Sequence, residues 1–314
     1  MNNNNSTLVK HSSAKANRII GNILTYVILV ILSIIWIVPI LWIVLSAFRT
    51  ETNDTGMLIG TVVSNFFPKK VGIDNFRDLF TNEFYGVKGV FPRWLLNTLI
   101  VAVFDCVIST FLVLTVAYCI SKLRFKMRKA FMNITMILGL FPGFMTMIAI
   151  YFILKSIGLS GNTESGTAWL NLVGLILAYS AGAGLGFQVA KGFFDVIPTS
   201  LVESAKLDGC SNFKIFLKII LPLAKPIIIY QALMSFTGPW MDFIFAKVII
   251  GDGNAQCWTV SVGLYNMMYG PQANVNQFTQ FAAGCVCVGI PIVILFMAMQ
   301  KYYVEGVTAG AVKG

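Results

Sequence analysis

The chain has 314 residues, of which 57% are hydrophobic and 11% charged, against about 25% charged residues in a typical soluble domain. With a mean hydropathy of +0.77 the chain has too little polar surface to cover a soluble fold, so the bilayer is its natural solvent. A formal charge of +10 would fit nucleic acid in a soluble protein, but in this composition an aqueous DNA-binding module is excluded and the sign has to be read from where the charges lie.

Residues 1–18 form a polar, Asn-rich, basic leader, expected to be disordered and cytoplasmic. Crossing a hydrocarbon core of about 30 Å takes roughly 20 apolar residues. Six runs meet that length: 19–47, 94–121, 130–154, 168–190, 226–250 and 278–300. They predict an all-α membrane protein, with six transmembrane helices in one domain over 19–303. The first run is too long for a signal-peptide core and reads as a retained helix. Pro142 with Gly143, Pro239 and Pro291 should kink three of the others. Gly182 and Gly186, four residues apart around Gly184, read as a small-residue face for close helix contact.

Basic residues set the orientation. Most of them precede the first run (Lys10, Lys15, Arg18), crowd the second connection (Lys122, Arg124, Lys126, Arg128, Lys129) or lie in the fourth (Lys191, Lys206, Lys214, Lys218, Lys225), with Lys301 and Lys313 near the end. Both termini are therefore expected in the cytoplasm. The 48–93 region falls outside, and its aromatics, Phe66, Phe67, Phe76, Phe80, Phe84, Tyr85 and Phe91, predict a packed element. It serves either as a docking surface for an external protein or as a cap on the bundle.

Chemical motifs are sparse. The single histidine, His11, lies in the leader, which leaves a Ser/His/Asp triad and a His-based metal site without support. Six cysteines occur without CxxC spacing and read as small packing residues. No GxxxxGK[ST] loop is present to cradle a nucleotide phosphate. An enzyme is not expected. Two carboxylates, Asp105 and Asp242, fall inside apolar runs and should face protein or water. Asp105 belongs either to a translocation path or to an interhelical hydrogen bond. Asp242, beside Trp240, either lines the outer part of a polar-solute path or anchors the helix at the interface.

The 191–225 loop has the clearest local grammar. Pro198 stops the preceding chain, and Ser200 with Glu203 three residues later forms a capping-box pattern for a two-turn helix. Gly209 supplies a left-handed stop after Asp208. Ser211 or Asn212 then starts a second helix running to Leu221, and Pro222 and Pro226 close the unit. A rigid helix pair rimmed by lysines at a membrane face suits a protein partner that pushes on it.

At these residues the sequence resembles the coupling motif of binding-protein-dependent ABC importer permeases: Glu203, Ser204, Ala205, then Asp208 and Gly209, then Ile219, Leu221 and Pro222. Ser204 stands where alanine is usual. KLRFKMRKAFMN (122–133) and LFPGFMTMIAIYFILKSIGL (140–159) look like the carbohydrate branch, and the tail VEGVTAGAVKG (304–314) is similar to that of maltose-type inner permease subunits. The resemblance implies a transmembrane subunit of an ATP-driven importer in a bacterial-type cytoplasmic membrane, carrying an oligosaccharide of maltodextrin type. It also implies a second homologous permease, two ATPase subunits that bind ATP and Mg, and an extracytoplasmic solute-binding protein, with no cofactor in this chain. Coupling would run through the 203–222 motif, and Thr308, Gly310 and Lys313 would touch the ATPases. A secondary transporter, or an ABC permease for another polar solute, is the rival reading.

Overall fold

The computed structural model describes residues 4–52, 58–62, 65–183 and 186–309; at 4–18, 183, 275 and 301–309 only the backbone is described. His11, Gly184, Gly310 and Lys313 fall outside these limits or have no described side chain. The chain runs α1 (Asn4–Ala47), α2 (Asp74–Thr81), a β1 (Glu83–Phe84) and β2 (Val87–Lys88) hairpin, α3 (Phe91–Lys122), α4 (Arg128–Leu138), α5 (Gly143–Ser156), α6 (Leu170–Ala183) and α7 (Phe187–Val196). It continues through α8 (Thr199–Leu207), α9 (Asn212–Ile215), a π-helical turn (Phe216–Ile220), α10 (Leu221–Leu223), α11 (Lys225–Met241), α12 (Ile244–Ile250), α13 (Val260–Tyr269) and α14 (Phe278–Ala309). The 1–18 leader, expected without structure, continues α1 back to Asn4.

Among the described residues, three helices are long and apolar enough to cross a membrane: Ile19–Ala47, Phe91–Lys122 and Phe278–Gln300. Three bent pairs bring the number to six if each is one span: α4 with α5 at 102°, α6 with α7 at 40°, and α11 with α12 at 66°. The 130–154 run is thus two helices and not one kinked rod. Pro142 explains the break, because it cannot donate to the preceding turn and instead sits as the extended cap of α5. Pro239 lies inside α11, which ends two residues later where Asp242 turns extended. Pro291 is accommodated within an unbroken α14.

α3 is the central strut, packed against α6, α7 and α11. One buried cluster surrounds its N-terminal half, with Phe91, Trp94, Trp258 and Met267; a second surrounds its C-terminal half, with Val113, Phe187, Phe194, Ile215, Ile220 and Ile227. The Trp94 Nε1–H donates to the Ala255 carbonyl (2.7 Å), and Asn97 Nδ2 donates to those of Gln256 (2.8 Å) and Trp258 (2.9 Å). Gly263 allows α13 to cross this point, since a Cβ there would stand 2.3 Å from the Trp94 ring.

The 48–93 region is packed as expected. Asn75 is fully buried; its amide donates to the Ala47 (3.0 Å) and Arg49 (2.6 Å) carbonyls and accepts from Thr279 Oγ1 (2.8 Å). It joins the end of α1, α2 and the start of α14. Tyr85 and Gly86 turn the hairpin with φ of 55° and 73°, the signature of a tight I′ turn. Most of the aromatics find ring partners inside the fold, while Phe67 is 73% exposed and meets Phe66.

Candidate functional site

The helix pair predicted from the 191–225 loop is present, with two corrections. First, α8 begins at Thr199, one residue before the expected cap, and its cap position is Pro198 with no side-chain hydrogen bond. The extended backbone that Pro198 favours starts the helix, so Ser200 and Glu203 form no capping box. Second, the prolines do not close the unit: Pro222 lies within α10 and Pro226 in the first turn of α11, separated by a one-residue turn at Ala224. Pro222 would remove the bond to the carbonyl four residues back and crowd it, and the preceding turn widens to π geometry, with Leu221 N–H reaching the Phe216 carbonyl. Outside this unit, Gly182 on α6 makes no close helix contact within this chain, because a Cβ there would meet nothing within 4 Å.

The turn itself follows expectation. Gly209 has φ +78°, Gly209 N–H donates to Lys206 and Cys210 N–H to Ala205, and Ser211 Oγ caps α9 by accepting from Lys214 N–H (3.3 Å). Val202, Ala205, Ile215, Phe216, Ile220 and Ala224 are buried in the second cluster. Glu203, Ser204, Asp208, Gly209 and Pro222 are exposed, while Ile219 and Leu221 are half-buried. Leu207 is 90% and Phe213 67% exposed on the same unit. These two side chains were missed in the sequence because apolar residues in an apolar chain carry no contrast.

The unit is tied to the end of α3. Lys122 Nζ donates to the Ile197 carbonyl (2.6 Å), Ser121 Oγ to Asp195 Oδ1 (2.6 Å), and Tyr118 Oη to the Asn212 carbonyl (3.0 Å). Between the two lies a cleft of about 450 Å³ lined by Arg124, Phe125, Thr199, Glu203 and Lys206. The end of α7, the link into α8 and the start of α9 are thus each hydrogen-bonded to α3, and α3 touches both α6 and α11.

The three acid-centred path candidates do not share one surface. Asp105 is 5% exposed and accepts from Ser109 Oγ (2.5 Å) on its own helix and Ser180 Oγ (3.2 Å) on α6. It makes an interhelical hydrogen bond. Asp242 accepts from Tyr179 Oη (2.5 Å) and caps α12 through Phe245 N–H (3.3 Å) and Ala246 N–H (3.0 Å). Trp240 lines a different cavity, with Phe243, Tyr265 and Tyr269. Adjacent residues of α6, Tyr179 and Ser180, thus hold the two intramembrane acids. Their signal in the sequence was a polar pair inside an apolar run.

The profile of the family described as "Binding-protein-dependent transport system inner membrane component" matches residues 109–308, which include the helix pair and all three bent pairs. The chain belongs to this family. It is a multi-pass protein of the cytoplasmic membrane. It is 33% identical over 305 residues to the maltodextrin transport system permease protein MalD of Streptococcus pneumoniae, covering 97% of this chain and 100% of that one. It is 32% identical over 301 residues to the galactooligosaccharides transport system permease protein GanQ of Bacillus subtilis, covering 96% and 98%. A crystal structure of a bacterial ABC transporter involved in the import of the acidic polysaccharide alginate contains a chain of the same fold, with TM-score 0.74, 22% identity and coverage of 92% and 98%.

Proposed function

We propose that this chain is one transmembrane half of an ATP-driven importer that carries an oligosaccharide, of maltodextrin type in the first instance, across the cytoplasmic membrane. The observation that carries the reading is the exposed α8–Gly209–α9 unit, whose buried face is anchored to α3 and whose free face presents Glu203, Leu207, Asp208 and Phe213. The full-length similarity to maltodextrin and galactooligosaccharide permeases supports the substrate class.

In this reading each bent pair is one span, giving six, with both termini cytoplasmic as the lysine and arginine distribution requires. A second permease completes the path, a solute-binding protein delivers sugar to the external face, and two separate subunits bind ATP and Mg. Closure of those ATPases pushes the exposed face of α8. Gly209 leaves room for close approach, Glu203 and Asp208 offer charge pairing, and Leu207 and Phe213 add apolar area that water does not favour leaving open, while Ala205 lets the opposite face of α8 seat against the core. The polar ties at Tyr118, Ser121 and Lys122 carry the push into α3, and from there to α6 and α11. Thr308, at the end of α14, and Gly310 and Lys313 beyond it extend the contact with the ATPases.

The test is uptake by the assembled importer in vesicles. Glu203→Arg should reverse the charge pairing, and Gly209→Pro cannot adopt φ +78°. Each is expected to lower uptake by at least about tenfold, equivalent to ~1.4 kcal/mol of lost coupling, with the protein still inserted. Wild-type uptake by both variants would sink the coupling role.

A further inference from the structure

Two carboxylates lie inside the apolar part of this chain, and the fold uses them differently. Asp105 is enclosed by serine hydroxyls, whereas Asp242 borders a cavity of about 560 Å³ between the α4–α5 break, α6 and the α11–α12 break. That volume lies within the roughly 300–1,000 Å³ of small-molecule sites. Its lining carries the rings of Phe141, Phe144 and Phe245, and its polar side chains are Asp242, Tyr179 and Thr146.

Resting on the importer reading above, we propose that this cavity is a saccharide subsite contributed by this subunit, in which Asp242 and Tyr179 bind the hydroxyls of a neutral sugar unit. Three observations converge on it. No Lys or Arg lines the cavity or pairs with Asp242 among the described residues, so the carboxylate is compensated only by neutral donors. Its Oδ2 already accepts from Tyr179 and Ala246, but Oδ1 has only the long bond from Phe245 N–H (3.3 Å), leaving acceptor capacity for an incoming hydroxyl. Tyr179 Oη keeps its own lone pairs for a second hydroxyl. The aromatic walls suit the C–H faces of a pyranose ring, which are apolar where its edges are polar. A carboxylate without a cation repels a uronate, so the subsite selects neutral saccharides.

The experiment uses the intact importer in proteoliposomes, with radiolabelled maltotriose and β-1,4-galactotriose as probes and ATP hydrolysis measured in parallel. Asp242→Asn keeps shape and remains a competent helix cap, and Tyr179→Phe removes one hydroxyl. Gly182→Phe fills the cavity from a position where a Cβ meets nothing within 4 Å. Each variant should lose uptake by about tenfold while the ATPase rate stimulated by sugar-loaded binding protein stays within about twofold of wild type. Uptake within about twofold of wild type in Asp242→Asn and Gly182→Phe overturns the subsite, as does parallel loss of uptake and stimulated hydrolysis, which would make the region a structural brace. If the wild-type complex shows no stimulation by either sugar, the maltodextrin-type substrate reading fails and the subsite argued from it fails too.

Discussion

At the scale of single residues, Asn75 shows how a buried amide can fix a junction of helices. Three hydrogen bonds hold it with no exposure at the junction of α1, α2 and α14. Asn75→Ala leaves two backbone carbonyls and the Thr279 hydroxyl short of a partner, and should cost about 2–3 kcal/mol, read as a lowered melting temperature of the purified protein in detergent. Asp105→Leu should destabilise the α3–α6 contact in the same assay, while Asp105→Asn, which still reaches Ser109 and Ser180, should sustain uptake. That both intramembrane acids face inward was legible in the sequence, because a carboxylate in hydrocarbon has to find protein or water. Their partners were not. Tyr179 and Ser180 lie more than sixty positions from the acids they touch, and no local pattern links them. Trp240 was grouped with Asp242 because they are close in the chain, but the helix ends between them and the two side chains enter different cavities.

At the scale of elements, the apolar stretches of the helices were readable, since apolar length defines them, but several ends were not: α1 begins at Asn4, α7 ends at Val196 and α14 runs to Ala309. Breaks were harder. Pro142 stands at its break, whereas the α11–α12 break falls beyond Pro239, where the Asp242 carboxylate can cap the next helix. The glycine turn of the α8–α9 unit was legible from Gly209 and Ser211, but the capping box failed because Pro198 had already set the backbone. Gly209→Ala, forced toward φ +78°, should destabilise this turn by about 1 kcal/mol, measurable as earlier proteolysis of the 199–223 segment. In the 48–93 region, burial and the neighbouring Asp74 hold the Asp78 carboxyl above its ordinary value of 3.8. A carboxyl raised in the folded state favours the protonated form, so its stability penalty is absent below the unfolded value and grows as pH rises through the folded one. Asp78→Asn should therefore raise the melting temperature at neutral pH, with the gain shrinking as the medium is acidified.

At the scale of the whole molecule, the scarcity of charge becomes the solvent boundary and the +10 becomes an orientation. Apolar side chains of α1 from Ile19 to Leu41 are exposed, as expected of a helix whose neighbours are lipid or another transmembrane subunit. A membrane-impermeant maleimide applied to intact cells should label Tyr269→Cys on α13 and spare Leu207→Cys on α8; the reverse pattern would invert the topology. The central claim is that this chain works as the membrane half of an ATP-driven sugar importer. The most direct test is affinity isolation of the full-length chain from its native membrane, followed by ATPase assay with sugar-loaded solute-binding protein. The account predicts co-isolation of a second permease and an ATP-binding subunit, with hydrolysis stimulated by the loaded binding protein. A chain that isolates without an ATPase, or a complex whose hydrolysis ignores the binding protein, would contradict it.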